Sequence, residues 1–368
     1  MNKIARVFKK IVPTRQAGFK SPFRQSVEML WLGTFYKLSP MEYRAFEFGK
    51  LGVTKKHIRS YLRVNDAEKK LRRTLNSRAW APMLTNKLLF NSYFSQRQIP
   101  VAKLYGMFHP QFGSDIEGNP LRTREDLQRL INEKGIDQFV VKPLAGKTGV
   151  AVLVLELVEK TPEDFIFEDR AGEKYNLDRL VKHMSRPVQF TEQGFLLEAR
   201  VVNHPDIARF NPSSVNTCRL VTFMNKAGEL SIILSVLRIG VQGKNTDNWH
   251  TGGLAAAIDP ATGVLGEGLI RPDFRSGGWH SAHPDNDVVF KGERIPDWDK
   301  IVALVFKAAR MTPFIRTIGW DVAATLDGPV IIEANFSWGP MMCQACNGGL
   351  LTPELRQEFG EFGLRFPG

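Results

Sequence analysis

Apolar and polar residues follow two different patterns along the chain, and the change falls near residue 138. Before it, apolar residues recur at helical spacing between start and stop signals. The segment TREDLQRLINEKG predicts a clear helix, because Thr123 can cap it, Asp126 stands three residues later and Gly135 can end it. Further helices are predicted in SPMEYRAFEFGKLG, NDAEKKLRRTLNSRAW and TNKLLFNSYFSQRQ, and a strand in IPVAKLYGMF.

From residue 138 onward, short runs of β-forming residues alternate with turns, which predicts strands. The predicted strands are 138–142, 150–157, 195–202, 217–224, 230–240, 254–259, 317–325 and 330–335, with helices near 176–185 and 297–311. The turns NKAGEL and TLDGPV carry hairpin signals. Strands joined mostly by hairpins, with the helices set apart, predict an α+β fold built on antiparallel sheets.

Length and composition narrow the class of protein. A chain of 368 residues is too long for one ordinary core, so two or three lobes are expected. No uncharged apolar run approaches the ~20 residues of a membrane span, and charges interrupt the amino-terminal MNKIARVFKKIVP as a signal-peptide core. Three cysteines do not make a disulfide framework, which favours a reducing cytoplasm.

The net charge of +12 is concentrated at the amino terminus. Residues 1–80 hold 19 Lys and Arg against 5 Asp and Glu, a balance of +14, whereas the remainder holds 31 against 33, a balance of −2. This asymmetry predicts a surface for an anionic partner. An anionic membrane, which would place the chain at the inner face of the membrane, and a polyanionic glycan are the two candidates. The alternative is a solvated helical face packed on the body.

Nucleic acid is the third polyanion to consider, because aromatic residues alternate with basic ones near the amino terminus. These aromatic residues are Phe19, Phe23, Trp31, Phe35 and Tyr36. However, the basicity stops at residue 80, and no nucleic-acid-binding motif is present in the sequence. Nucleic acid is therefore not the expected partner.

The segment FVVKPLAGKTGV predicts a phosphate-binding loop. Lys142 ends a predicted strand, and Gly146 and Gly149 beside Lys147 can bring backbone N–H groups close to phosphate oxygens. Pro143 and the missing Walker pattern argue against a P-loop, and the strand that follows predicts a hairpin lid. An ordinary basic hairpin tip is the alternative.

The hairpin GWDVAATLDGPVIIEAN predicts a magnesium site. Glu333 and Asn335 share one strand face, and oxygen ligands of this kind suit Mg²⁺. Asp321 would pair directly with Glu333 if the loop had three residues, 326–328, whereas a two-residue turn would point it to the other face. We therefore expect an odd-numbered loop, with a cation between the two carboxylates. The alternative to a metal site is that these are ordinary polar residues on the solvent-facing side of the strands.

Other polar residues carry weaker signals. Arg219 opens one predicted strand, Arg238 closes another, and NTDNWHTGG offers Asn248 and His250 in a polar loop, although such residues are more often structural than catalytic. The CQAC segment, with Cys343 and Cys346, lacks the partners of a zinc or redox site and is interpreted as loop packing near the pocket.

Together and in this order, these segments resemble the ATP-grasp superfamily, and more narrowly its sugar-transfer-associated group and its teichuronopeptide-synthesis relatives, over about residues 86–340. The matching segments are TNKLLFNSYFSQRQIPVAKLYG for the Lys-bearing helix, FVVKPLAGKTGV for the nucleotide lysine and lid, FLLEARV for the hinge, and GWDVAATLDGPVIIEAN for the metal signature. NWHTGG is similar to a loop of the ribosomal-protein glutamate ligase branch. The lid has fewer glycines than is usual, and basic helices replace the usual amino-terminal α/β domain.

The resemblance implies an ATP-grasp fold of two antiparallel-sheet-rich lobes that hold a nucleotide between them, with a helical amino-terminal extension. The expected divisions are a basic extension at 1–80, a helix-containing segment at 81–137, a nucleotide lobe at 138–202 and a catalytic lobe at 203–368. The implied cofactors are ATP and Mg²⁺ or Mn²⁺.

The resemblance also implies roles for individual residues. ATP would be bound by Lys87, Lys142, Ala145, Gly146, Lys147, Thr148, Gly149, Glu198, Ala199 and Val201. The metal would be held by Asp321, Glu333 and Asn335. The transferring phosphoryl group and the acceptor would meet Arg219, Arg238, Asn248 and His250.

The implied function is an ATP-dependent carboxylate–amine (or thiol) ligase. It would form an acyl phosphate, release ADP and phosphate, and act on small or glycan-linked substrates in surface-polysaccharide or related glycan or peptide biosynthesis. A nucleotide-binding scaffold without ligase turnover, which the thin lid would suit, and a basic polyanion-binding protein are the alternatives.

Overall fold

The described part of the chain forms two antiparallel sheets of seven strands each. The computed structural model describes residues 13–144, 151–161, 164–186, 194–243, 247–274 and 277–367. The strands in these ranges are β1 (Leu104–Phe108), β2 (Ser114–Asp115), β3 (Gln138–Pro143), β4 (Leu153–Lys160), β5 (Phe165–Asp169), β6 (Lys174–Tyr175), β7 (Phe195–Ala199), β8 (Thr217–Met224), β9 (Leu230–Ile239), β10 (Leu254–Ile258), β11 (Leu265–Ile270), β12 (Gly278–His280), β13 (Thr317–Thr325) and β14 (Gly328–Asn335). The first sheet has the order β2-β1-β7-β3-β4-β5-β6 and the second β12-β11-β10-β9-β8-β13-β14. The predicted α+β fold is confirmed.

The helices are short and lie mainly at the amino and carboxyl ends of the chain. They are α1 (Pro22–Phe35), α2 (Pro40–Ala45), α3 (Lys55–Arg59), α4 (Val64–Asp66), α5 (Arg72–Leu75), α6 (Ala81–Thr85), α7 (Lys87–Ser95), α8 (Arg124–Lys134), α9 (Leu177–Met184), α10 (Pro205–Ala208), α11 (Trp298–Arg310), α12 (Pro340–Asn347) and α13 (Pro353–Glu361). A π-helical segment, Ala67–Leu71, joins α4 to α5. No helix among the described residues has both the length and the apolar character needed to cross a membrane.

Local signals explain α8 completely. Thr123 accepts a hydrogen bond from the Asp126 N–H, the Asp126 side chain accepts from the Thr123 N–H, and Gly135 ends the helix in the left-handed conformation with φ 58°. This is a capping box followed by a glycine C-cap. The buried residues Leu127 and Leu130 then pack α8 onto the first sheet, so the helix prediction from TREDLQRLINEKG is confirmed.

The first sheet draws on more of the chain than the segment after residue 138. Strands β1 and β2 precede that point, and β1 pairs with β7 through Met107 opposite Leu196. One face of the sheet forms a core with α8 and α9 around the side chains of Phe139 and Val141. The first sheet therefore includes two strands that precede residue 138.

The second sheet is covered on both faces. In β8 every residue is buried, and alternate side chains enter different cores. Cys218 and Leu220 pack in the core that contains α7 and α11, whereas Val221 and Phe223 pack against the amino- and carboxyl-terminal helices. The second sheet is therefore the middle layer of a three-layer arrangement.

The amino-terminal helices are part of the body. Met29 of α1 and Leu75 of α5 lie in the same buried cluster as Phe223 of β8. The side chain of Asn76 also donates to the Thr317 carbonyl oxygen at 2.8 Å and accepts from the Thr317 N–H at 3.0 Å. The inner side of the basic region thus packs on the second sheet.

Candidate active site

Three charged residues lie side by side across the second sheet. Asp321 of β13 is paired with Arg219 of β8 on one side and with Glu333 of β14 on the other. Residues directly opposite each other on adjacent antiparallel strands have neighbouring side chains. The register therefore brings one cation and two carboxyl groups into a single row.

A β-bulge produces this register. Thr325 pairs with Gly328, so the hairpin loop has only two residues, 326 and 327. The pairing then shifts between Asp321 and Val322, whose partners are Glu333 and Ile331, and this leaves residue 332 as the extra residue of a bulge. The predicted Asp321–Glu333 pairing is confirmed, but the predicted odd-numbered loop is wrong, because the bulge makes the same correction.

Two arginines surround the carboxylate of Asp321. Arg219 binds both oxygens, through Nε to Oδ1 and through Nη2 to Oδ2 at 2.6 Å, and Arg238 Nη1 lies 2.8 Å from Oδ2. Burial alone would raise the pKa of Asp321, but the charges of Arg219 and Arg238 outweigh it and hold that pKa below its usual range. Asp321 is therefore a buried anion at neutral pH.

Arg238 links Asp321 to a second buried carboxylate, Asp247. Arg238 Nη2 lies 2.6 Å from Asp247 Oδ1, and Asp247 Oδ2 accepts from both the N–H, at 3.1 Å, and the hydroxyl of Thr217. Burial raises the pKa of Asp247, and the charge of Arg238 acts against this. The sequence did not single out Asp247, although it lies in NTDNWHTGG, because nothing local distinguishes it from a loop residue.

Glu333 and Asn335 complete the cluster. The carboxyl group of Glu333 hydrogen bonds to Asp321, and Asn335 Nδ2 lies 3.2 Å from Glu333 Oε1 and 3.4 Å from Asp321 Oδ2. Burial and the negative charge of Asp321 raise the pKa of Glu333. The two carboxyl groups thus share a proton at a pH where an isolated glutamate would have lost it.

This donor set fits a divalent cation in part. Mg²⁺ takes carboxylate and amide oxygens together with substrate phosphates, and Glu333 and Asn335 carry such oxygens. A cation beside Glu333 would relieve the repulsion that now retains a proton. Asp321 already accepts from three arginine nitrogens, so it would have to exchange one of them to become a ligand. Among the described residues, no group of three or more His, Cys, Asp or Glu is placed to hold a metal ion, this cluster included.

A second ion pair lies in the first sheet. Lys142 Nζ is 2.5 Å from Glu198 Oε2, and the side chain of Glu198 is only 5% exposed. Lys142 is on β3 and Glu198 on β7, where it pairs with Val140, so the two side chains are diagonal neighbours on one face. The Lys142 predicted at the end of a strand thus stands beside a buried carboxylate.

Lys87 connects the two clusters. It is the first residue of α7, after the capping side chain of Asn86, and its backbone N–H donates to the Leu144 carbonyl oxygen at 3.4 Å. Burial and the positive charge of Lys142 lower the pKa of Lys87, while Glu333 and Glu198 act in the opposite direction. Charges of both sheets act on this one ammonium group, so Lys87 lies near both clusters.

The remaining predicted ATP-binding residues lie partly within and partly outside the described residues. Ala199 ends β7, and its N–H donates to the Lys103 carbonyl oxygen at 2.8 Å. Val201 follows in the connection toward the second sheet. The predicted lid residues Ala145, Gly146, Lys147, Thr148 and Gly149 lie outside the described residues.

His250 lies on an exposed turn next to an arginine that the sequence did not single out. The side chain of Asn248 accepts from the His250 N–H at 2.9 Å, so Asn248 caps the turn Trp249–Thr251. Arg271 Nη1 lies 2.8 Å from His250 Nδ1. Partial burial and the charges of Arg271 and Arg238 lower the pKa of His250. Because arginine only donates, Nδ1 accepts, and the neutral ring carries its proton on Nε2.

The CQAC segment is helical, which corrects the expectation of a packing loop. Cys343 and Cys346 lie on α12 and are free thiols. Burial raises the pKa of Cys343 to about 11, and Cys346 Sγ donates to the Ala255 carbonyl oxygen at 3.1 Å. Both side chains pack α12 on the second sheet.

Comparison with known proteins identifies one family. The model of a family described as sugar-transfer associated ATP-grasp matches residues 66–359. No curated protein matches the sequence.

Solved structures with a similar fold are distant in sequence. The chain is 15% identical to N5-carboxyaminoimidazole ribonucleotide synthetase purK in its ADP complex, with a TM-score of 0.38. The match covers 69% of this chain and 45% of that protein. It is 15% identical to a RimK domain ATP-grasp protein from Sphaerobacter thermophilus, with a TM-score of 0.36, and the match covers 74% of this chain and 68% of that protein. It is 13% identical to D-cycloserine synthetase DcsG, with a TM-score of 0.41, and the match covers 89% of this chain and 94% of that protein. The chain thus spans less than half the length of the first of these proteins.

Proposed function

Because the chain belongs to the sugar-transfer associated ATP-grasp family, we propose that it is an ATP-dependent ligase that joins a carboxylate to an amine or a thiol. Members of the ATP-grasp family are ATP-dependent carboxylate–amine ligases. The observation that carries the proposal is a pair of buried charged clusters, Lys142 with Glu198 in the first sheet and the row of Arg219, Asp321 and Glu333 in the second.

The cations of the first sheet would bind the nucleotide. Lys87 and Lys142 would contact the α and β phosphates, and Glu198 with the backbone through Val201 would hold adenosine. In the described residues Lys142 is 2.5 Å from Glu198, so this carboxylate keeps the ammonium group in place before the nucleotide arrives. A positioned cation needs little rearrangement to neutralise phosphate charge.

The reaction would proceed in two displacements. A carboxylate oxygen of the first substrate attacks the γ-phosphorus, the bond from phosphorus to ADP breaks, and an acyl phosphate forms. The nitrogen or sulfur of the second substrate attacks the acyl carbon, the carbon–oxygen bond to phosphate breaks, and phosphate leaves. The proton of the attacking group passes to the departing phosphate or to water. Phosphoryl transfer of this kind depends mainly on positioning and charge neutralisation.

The residues of the second sheet would serve this transfer. Glu333 and Asn335, joined by Asp321 after an arginine exchange, would hold Mg²⁺, which neutralises phosphate charge when bound. Arg219 or Arg238 would then leave Asp321 and donate hydrogen bonds to the transferring phosphoryl group, where negative charge develops. His250, with its Nε2–H, would donate a hydrogen bond on the acceptor side.

The substrates would be a small or glycan-linked carboxylate and an amine. The description of the family associates it with sugar transfer, which supports a place in surface-polysaccharide or related glycan or peptide biosynthesis. We propose amino acids and uronic acids as the first compounds to test, because they supply the carboxylates and amines that the reaction needs.

An ADP-release screen tests this function. The full chain would be mixed with Mg-ATP and with amino acids and uronic acids, singly and in pairs. ADP release that requires both a carboxylate and an amine would support the ligase. A Glu333→Gln variant, which keeps the shape of the side chain but removes its charge, is the control for contaminating ATPases.

One observation favours a second candidate, a nucleotide-binding scaffold without turnover. Both oxygens of Asp321 are bound by arginine, so the carboxylate that would join the metal site has a structural role in this arrangement. A scaffold would bind ATP through the first sheet and release no ADP with any acceptor pair. Tight ATP binding without acceptor-dependent ADP release would select this candidate.

A further inference from the structure

Helix α1 carries apolar side chains on both of its faces. The inner face is buried through Gln25, Met29 and Leu32. The outer face points to solvent, and its side chains have large exposed fractions: Phe23 80%, Val27 49%, Leu30 57%, Trp31 43% and Phe35 68%. Helices at the surface of a globular protein normally turn polar residues outward, whereas the outer face of α1 is mainly apolar.

The outer residues form one continuous stripe. They recur at steps of three and four residues, which places them on one side of a helix. Contiguous exposed apolar patches mark interaction sites on soluble proteins. The helix has 14 residues, which corresponds to about 21 Å, less than the ~30 Å of a bilayer core. The stripe therefore suits contact along a surface and not insertion across one.

Exposed basic residues flank this stripe. Residues 13–40 hold four Lys and Arg against one Glu, a balance of +3. The single acid, Glu28, is 2.8 Å from Lys20 Nζ and 3.3 Å from Arg24 Nε, so its charge is already compensated. Arg24 and Lys37, near the two ends of α1, are exposed. The surface around the apolar stripe is thus complementary to an anionic one.

The segment ahead of α1 begins beside this helix. The Thr14 N–H donates to Gln25 Oε1 at 2.9 Å, and Gln25 Nε2 donates to the Thr14 carbonyl oxygen at 2.8 Å. The sequence immediately before it, MNKIARVFKKIV, contains four Lys and Arg and five large apolar residues besides the initial Met. The sequence ahead of α1 therefore has the same basic and apolar character as the outer face of α1 and its surroundings.

We propose that the outer face of α1 is a docking surface for an anionic lipid membrane, on which the helix lies in the plane of the interface. Apolar and aromatic side chains would enter the boundary between headgroups and acyl chains, and the cations around them would contact the headgroups. This inference concerns where the protein acts and stands whether or not the site between the sheets turns over ATP.

Vesicle co-sedimentation of the full chain tests the proposal. The probes are vesicles of phosphatidylcholine alone and vesicles that also contain phosphatidylserine. The test variant combines Phe23→Ser, Leu30→Ser and Phe35→Ser, and the matched control combines Phe112→Ser, Val289→Ser and Leu326→Ser, three other exposed positions. Far-UV circular dichroism and the urea midpoint show that both variants fold.

We expect the wild type and the matched control to sediment with anionic vesicles. The α1 variant should bind these vesicles at least about tenfold more weakly. Binding should weaken as salt rises from 0.1 M to 1 M, where the Debye length falls from about 10 Å to about 3 Å. Equal binding to neutral vesicles, full binding by the α1 variant, or no binding by the wild type overturns the proposal. Two other results would assign the surface to another partner and also overturn the proposal. The first is that the wild type and the matched control form a dimer and the α1 variant is a monomer. The second is salt-sensitive binding to dextran sulfate without binding to vesicles.

Discussion

Arg219 and Asp321 face each other on neighbouring strands and form a two-point ion pair in which Arg219 Nη2 lies 2.6 Å from Asp321 Oδ2. Both side chains are buried, with exposed fractions of 9% for Arg219 and 2% for Asp321. A buried ion pair of this kind adds little net stability while both partners are present. Removal of one partner is costly, because it leaves an uncompensated charge in the interior.

The first prediction concerns this pair. Arg219→Met should destabilise the fold by about 3 kcal/mol, at the low end for a broken buried pair because Arg238 still contacts Asp321. The double variant Arg219→Met with Asp321→Leu should recover most of the loss, since no unpaired charge remains. Urea unfolding of the wild type, the single variants Arg219→Met and Asp321→Leu and the double variant measures the effect. A double variant no more stable than Arg219→Met would contradict the argument.

The second prediction follows from Glu333. Its pKa is raised above the ordinary 4.5, so between these two values the folded state holds more protons than the unfolded one. Stability from this residue is therefore present at low pH and is lost as pH rises through the raised pKa. Glu333→Gln, which cannot ionise, should become more stable relative to wild type as pH rises from 4.5 to 8.

The same variant should lose turnover. If Glu333 holds Mg²⁺, Glu333→Gln should lower acceptor-dependent ADP release by about tenfold to several hundredfold. Urea unfolding at several pH values without nucleotide separates the stability effect from the loss of turnover, and Glu229→Gln, at an exposed glutamate just before β9, is the matched control. A stability difference independent of pH would mean that Glu333 is not held protonated by Asp321.

The sequence predicts what local signals encode and misses what distant residues impose. The cap at Thr123 and the glycine at 135 lie within α8 or next to it, so that helix was predictable. The bulge that sets Glu333 opposite Asp321 was not predictable, because it adjoins a contact with a distant part of the chain. The Ile331 N–H next to it donates to the Pro100 carbonyl oxygen at 2.9 Å.

The same limit applies to the charged site. Lys142, Arg219 and Glu333 stand in segments whose strand pattern and family resemblance draw attention to them. Asp247 and Arg271 stand in loops, and their importance comes from partners that only folding supplies, namely Arg238 for Asp247 and His250 for Arg271. Sequence periodicity carries no information about such pairings.

The third prediction concerns Lys142. Lys142→Met should weaken ATP binding by roughly tenfold or more, since one charge-assisted contact contributes about 1.5–3 kcal/mol. The variant also leaves the buried Glu198 without its cation, so the urea midpoint should fall as well. Lys142→Met combined with Glu198→Gln should restore the midpoint but not the ATP affinity.

Calorimetry with ATP measures this affinity, and Lys160→Met, an exposed lysine on β4, is the matched control. Unchanged ATP affinity in the double variant would count decisively against the assignment of Lys142 to the phosphates. Loss of affinity in the control as well would indicate a general effect of net charge.

The fourth prediction separates turnover from nucleotide binding at His250. His250→Ala should lower acceptor-dependent ADP release by about tenfold, the worth of one hydrogen bond near 1.4 kcal/mol, and leave the affinity for ATP unchanged. The pKa of His250 lies below its ordinary 6.5, so the ring stays neutral as pH falls to that value. Below its lowered pKa, a proton on Nδ1 would repel Arg271 and displace its hydrogen bond, and turnover should fall. Arg271→Gln removes a positive neighbour and should move this acid limb to higher pH, whereas Thr251→Ala, on the same turn, should leave it in place. Equal losses of ATP affinity and turnover in His250→Ala, or an acid limb that Arg271→Gln does not move, would remove His250 from the acceptor side.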